Sequence, residues 1–200
     1  MNPADDAIVQ GTVPISAKSD APSVRFEVFS YTRPSHRTSG TWIVIGNDAD
    51  PTDGFGAVWD TTTTLNQGGP GGSSVVVAAI ALDLSGQPMA RSTARVNVAN
   101  FRIVDGQVVY PYYVVGTCDE GRCGLSLRSG PGFTEYPVTG MKFDNEELEV
   151  ICQAHGETYH SASGGSSDIW DQLRSGDWVS DYFVDTPERG VFSPPLPVCP

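Results

Sequence analysis

An all-β fold is expected of this 200-residue chain on three observations. Short runs rich in Val, Ile, Phe, Tyr and Thr recur along it, clusters of Gly, Pro, Asn and Asp separate them, and no stretch sustains a helical apolar period over three capped turns. In chain order the clearest strands are VRFEVFSY (residues 24–31), TWIVIG (41–46), SSVVVAAIALD (73–83) and STARVNVAN (92–100), each β-branched or aromatic and partly alternating. One short helix is expected in SSDIWDQLRSG (166–176), with Ser166 or Ser167 as its N-cap and Gly176 as its stop. Short strands without amphipathic helices between them favour sandwiches and small barrels over parallel sheets.

The formal charge of −12 divides unevenly: residues 1–100 carry 9 acidic and 6 basic side chains, residues 101–200 carry 15 and 6. A boundary fits near residues 100–106, where the charge density shifts and the cysteines begin. Nucleic-acid binding is not expected, because Lys142 is the only lysine after residue 100 and phosphate neutralisation needs a basic surface. Membrane insertion is not expected either: the longest apolar stretch, SVVVAAIALDL (74–84), is interrupted by Asp83 and too short to span a bilayer as a helix. Met1 is followed by NPADDAIVQ, which has neither the basic start nor the apolar segment of a signal peptide. The protein is therefore cytosolic, or the chain begins after a removed leader.

The cysteines favour export. Cys118, Cys123, Cys152 and Cys199 all lie in the second half, an even set without the paired knuckles of a zinc site. Three pairings are possible. A local bridge from Cys118 to Cys123 across DEGR is easy if the chain doubles back there, and it would leave Cys152 with Cys199. That longer bridge would pin the tail SPPLPVCP, which has too many prolines to hold itself in a sheet.

Signs of catalysis are sparse. His155 and His160 flank GET on what reads as an irregular loop, a spacing that does not aim two imidazoles at one metal. No G-x-S-x-G elbow occurs, and no cysteine is expected to be free as a nucleophile. Asp48, Asp50 and Asp53 lie close together in NDADPTDG; they form the weak calcium candidate of the chain, but the loop lacks the Gly and Glu positions of an EF-hand. No cofactor is expected, and the chain reads as non-enzymatic.

Residues 2–100 present, in order, NPADDAIVQGTVPISAKSD, VRFEVF, GFGAVWDTTTTLNQGG, SSVVVAAIALDLSGQP and ARVNVAN. This order resembles the bacterial immunoglobulin-like domains of secreted and cell-surface proteins, and the resemblance implies an immunoglobulin-like β-sandwich over residues 1–100. Trp59 would then be the large inward aromatic, Asp60 and the Thr run would begin a turn, and Asp83 with Gly86 would set a hairpin. Two departures are the long basic loop TRPSHRTSG (32–40) and the Gly-rich insertion QGGPGGSS (67–74), each a contact surface or a tolerated loop tip.

Residues 113–185 carry Leu125, Leu127, Arg128, Ser129, Gly130, Pro131 and Gly132, then Val138, Leu148 and Val150, and finally Trp178, Val179, Tyr182 and Val184. This spacing resembles the bacterial SH3 domain, in which an R-S-G-P-G turn joins two strands and a later aromatic strand closes the barrel. The resemblance implies a small SH3-like β-barrel within residues 101–200, ending in a Pro-rich tail. Arg128 would hold the turn through its carbonyls, and Asn145 stands where the family often has Gly for a left-handed turn. The cysteines and tail look like a disulfide-bearing subgroup found in exported proteins, which implies the same two bridges. Such domains often attach exported proteins to peptidoglycan. The resemblance therefore implies a secreted or cell-wall-associated binding module whose partner is cell wall peptidoglycan or an envelope protein. Tyr113, Asp168, Trp170, Trp178 and Tyr182, with Tyr112 and Asp171 nearby, are its candidate ligand-binding residues, although Trp170 and Trp178 also suit core positions. Alternatives are a structural component of a surface complex, or the targeting region of a wall hydrolase.

Overall fold

The β-branched and aromatic runs become strands close to where they stand in the sequence. A computed structural model describes residues 1–31, 40–66, 74–119, 123–162 and 164–200. The basic loop (apart from Gly40) and the Gly-rich insertion (apart from Ser74) lie outside the described residues. The fold is all-β. Its strands are β1 (Ala7–Val9), β2 (Thr12–Ala17), β3 (Ser23–Tyr31), β4 (Gly40–Asp48), β5 (Phe55–Asp60), β6 (Val75–Leu82), β7 (Pro88–Val98), β8 (Arg102–Val104), β9 (Gln107–Tyr113), β10 (Leu125–Arg128), β11 (Val138–Lys142), β12 (Glu147–His160), β13 (Ser166–Leu173) and β14 (Trp178–Ser180). Single 3-10 turns occupy Thr61–Thr63 and Asp181–Phe183.

Strands β1 to β7 form a five-stranded sheet in the order β1-β7-β6-β3-β4 and a two-stranded sheet of β2 and β5. The apolar core lies between them, with Ile15, Phe55 and Trp59 from the smaller sheet facing Val24, Phe26, Val28, Val75, Val77 and Val96 from the larger. Trp59 is buried, as expected, and the Asp60 carboxylate accepts from the Thr62 N–H to begin the turn. Asp83 and Gly86 set the β6–β7 hairpin, where the Gly86 N–H donates to the Asp83 carbonyl. Asn100 closes this region: its side chain accepts from the Gly11 N–H and donates to the Thr61 carbonyl, and its backbone exchanges two bonds with Asn66.

The segment 100–106, read as a junction, is mostly β-structure. Arg102–Val104 pairs with β9 through a two-residue Asp105-Gly106 turn, in which both residues have positive φ (49° and 79°). The remaining strands build one curled seven-stranded sheet, ordered β11-β10-β14-β13-β12-β9-β8. Its curl comes from the 14-residue β12, which pairs with β9 along its first part and with β13 over most of its length, its register slipping twice. Tyr112, Leu125, Leu148, Val150, Leu173, Val179 and Phe183 fill the concave side.

Two local expectations are corrected. Residues 166–173 are strand β13, not a helix, because they hydrogen-bond to β12 on one side and β14 on the other. Gly176 does end the element, but as a hairpin turn at φ 91° that donates to the Leu173 carbonyl. The stretch from His155 to His160 is not an irregular loop; it is the end of β12.

Candidate functional site

Both disulfides are formed, Cys118 to Cys123 and Cys152 to Cys199. They suggest an oxidising, extracellular environment. Among the described residues no helix is long and apolar enough to cross a membrane. The second bridge fastens the tail beside β12: the Gln153 N–H donates to the Pro197 carbonyl (2.9 Å) and the Cys199 N–H to the Gln153 carbonyl (2.8 Å).

The five sequence candidates do not assemble into one cleft. Trp170, at 0% exposure, is a core residue; its face packs on Phe133 (centroids 4.7 Å apart) and its indole N–H donates to the Glu157 carbonyl at 2.9 Å. The core position that the sequence also suited is reached by a strand and not the expected helix, and it puts the indole beneath the loop after Arg128. Tyr112 and Asp171, noted beside the candidates, are equally buried. Tyr113 is half-buried on β9, where burial chiefly, then the Glu147 carboxylate 3.4 Å away, raises its phenol above its ordinary range. Asp168 is on the surface and pairs with His155 (2.8 Å), whose ring meets Phe192 edge-on. Tyr182 is half-buried against Tyr159 and Phe183, with the Arg189 guanidinium 4.8 Å above its ring. Trp178 is half-buried, opposite Arg128 on β10 and Gln172 on β13, and so shares a sheet face with Ser180 two residues on.

The calcium candidates do not converge either. Asp48 accepts from the Asp50 and Gly56 N–H groups, and Asp50 accepts from the Thr52 N–H and hydroxyl. These carboxylates brace their own loop, and among the described residues no group of three or more His, Cys, Asp or Glu side chains could hold a metal.

The Arg-Ser-Gly-Pro-Gly turn forms a lid over the sheet. Arg128 Nη1 donates to the Phe133 and Tyr136 carbonyls, both at 2.8 Å, as the sequence suggested. Two features not noticed in the sequence dock the lid on β12. Glu157 accepts from the Phe133 and Thr134 N–H groups (2.6 and 2.8 Å) and the Thr134 hydroxyl (2.7 Å), which hold its carboxyl below the ordinary range, the Thr134 bonds most. Gly156 lies beneath Pro131, so that a Cβ there would collide with the Pro131 carbonyl and come within 2.6 Å of the Trp170 ring. The lid encloses a cavity of about 60 Å³ lined by Thr117, Leu125, Arg128, Phe133, Ser180 and Phe183 among others.

Beneath the sheet lies a buried acid pair that the sequence reading also missed. Asp171 and Asp181 are both 0% exposed, and Gln153 Nε2 donates to one oxygen of each, at 2.8 and 3.0 Å. The Thr186 hydroxyl donates to Asp181 (2.6 Å), and the Ser193 N–H donates to Gln153 Oε1 (2.7 Å), joining the tail to the pair. Among the described residues the second oxygen of each acid has no hydrogen-bond partner, which leaves the two carboxyls to share a proton. Desolvation first, and then the Asp181 charge, push the Asp171 carboxyl well above its ordinary range. Desolvation raises Asp181 to about 7, against the hydrogen bond from Thr186 and the nearby Arg189 charge. Paired carboxyls of split affinity are the equipment of acid–base catalysis, but these two are sealed from solvent and stabilise the attachment of the tail. Comparison with protein-family models, curated proteins and solved structures finds no match to this chain.

Proposed function

We propose that the protein is a non-enzymatic, exported binding protein in which an immunoglobulin-like spacer carries an SH3-like module that recognises cell wall peptidoglycan or an envelope protein. The observation that carries this reading is the position of Trp178. It is the one tryptophan of the second half that is not fully buried, and its backbone pairs with Arg128, a residue that lines the lidded cavity. An aromatic face next to a fixed guanidinium suits a sugar or a peptide. The two disulfides and the pinned tail support a module built for an oxidising exterior. The order of motifs in each half supports the two domain names.

Co-sedimentation of the oxidised protein with purified peptidoglycan across a salt series tests the reading. Retention that survives salt and is lost in Trp178→Ala is expected. Trp170→Ala is a poor probe, because that side chain is core. Protein that stays in the supernatant throughout would refute wall binding.

A second reading, assembly into a surface complex, is favoured by strand β4. It lies at the edge of the five-stranded sheet and exposes Trp42, Ile43 and Val44.

A further inference from the structure

Among the described residues, two that line the cavity under the lid carry a buried polar group without a protein partner. Ser180 is 1% exposed, yet its hydroxyl has no hydrogen-bond partner among the described residues. It occupies the N-cap position of the 3-10 turn Asp181–Phe183 without capping it. Arg128 Nε is likewise buried and unpartnered, while Nη1 of the same guanidinium is engaged by the Phe133 and Tyr136 carbonyls. Both residues line the same 60 Å³ space.

An unsatisfied buried donor is costly, and two of them on residues that line one space mark a site for an acceptor. A guanidinium edge with a hydroxyl beside it matches a carboxylate, which accepts a charge-assisted bond from each. Two neighbouring acids are already engaged: Asp144 by the Thr117 N–H and hydroxyl, and Glu157 by the lid amides. Leu125, Phe133 and Phe183 give the space apolar surface, and Thr117, Ser126 and Tyr159 also line it. The volume holds about two waters, or the carboxylate end of a ligand whose remainder lies outside the space.

We propose that this cavity is a subsite for the terminal carboxylate of a peptide ending in a small residue, with Arg128 Nε and the Ser180 hydroxyl as its donors. This inference rests on the binding reading and names the chemistry its ligand presents. The fixed lid sets specificity: Arg128 cannot swing out without releasing two carbonyls, so the anion must come to it.

The test is an NMR titration of the full oxidised protein with acetate, N-acetyl-D-alanine, N-acetyl-L-alanine and N-acetylalaninamide. Saturable shifts of the Thr117, Phe133 and Ser180 amides are expected with the carboxylates and not with the amide. Preference for the D form points to a wall peptide, and preference for the L form to a protein C-terminus. Ser180→Ala, which leaves the lid intact, is expected to weaken binding about tenfold or more; Arg128→Lys also weakens it while retaining a cation. Shifts equal for acid and amide, none with any carboxylate, or unchanged affinity in Ser180→Ala would overturn the subsite. Wall retention of Ser180→Ala and Trp178→Ala separates the two ideas: a failed titration with Trp178-dependent retention sinks the subsite alone.

Discussion

Replacing Asp181 by Asn should flatten the dependence of stability on pH between 5 and 8. Asp181 in the folded protein takes up its proton with a pKa of about 7, raised from 3.8 by burial. A raised carboxyl means that the folded state holds a proton which the unfolded chain has released. The resulting stabilisation is fully present below about pH 4 and is lost as pH rises through about 7. Each such proton changes stability by about 1.4 kcal/mol per pH unit. For Asp181 alone, the fall between pH 5 and pH 8 is then about 3 kcal/mol. Asp171, also raised by burial, adds to the slope in the same direction. Asn keeps the shape of the side chain and has no proton to lose, so Asp181→Asn should be less dependent on pH by about that amount. Groups elsewhere titrate alike in both proteins and cancel in the comparison. The assay is urea unfolding at pH 5, 6, 7 and 8 with both disulfides intact. Parallel stability curves for the two proteins, or a wild-type stability that rises with pH more steeply than that of Asp181→Asn, would refute the shared-proton reading.

Removing the long disulfide by Cys152→Ser and Cys199→Ser should cost about 4 kcal/mol in the loop-entropy model, from its sequence separation of 47; losing the short bridge, with a separation of 5, should cost about 2. Equilibrium denaturation checks both, and equal losses would contradict the model. Trp170→Ala should destabilise by about 3–5 kcal/mol, as for other buried aromatics, whereas Trp178→Ala should cost less than about 1.5; their melting temperatures would show it. Gly156→Ala should unseat the lid at a cost of about 1–3 kcal/mol, read as lost hydrogen-exchange protection at the Phe133 and Thr134 amides. Preserved protection there would show that Pro131 can move aside.

Local physical chemistry was legible in the sequence. Runs of β-branched and aromatic residues bounded by turn residues located β3, β4, β6 and β7, because such side chains favour extended backbone wherever they occur. Asp60, Asp83, Arg128 and Asn145 were each read in their structural roles, since a side chain that bonds to backbone a few residues away needs no knowledge of the rest of the fold. What the sequence left open involved partners distant along the chain. The segment 166–176 has a serine at one end and a glycine at the other, as a helix would; β12 and β14, absent from any local window, made it a strand. Once it is read as a strand, Ile169, Asp171 and Leu173 share an inward face, which was the signal for a buried acid. Nothing local brings Asp181, Gln153, Thr186 and Ser193 to that acid, or places Ser180 and Arg128 on one cavity. By itself, then, the sequence determined strand content, turns and the chemistry of its bridges. The acid pair, the burial of Trp170 and the lidded cavity were decided by tertiary structure alone, because desolvation and convergence are properties of packed neighbours and not of a residue's place in the chain.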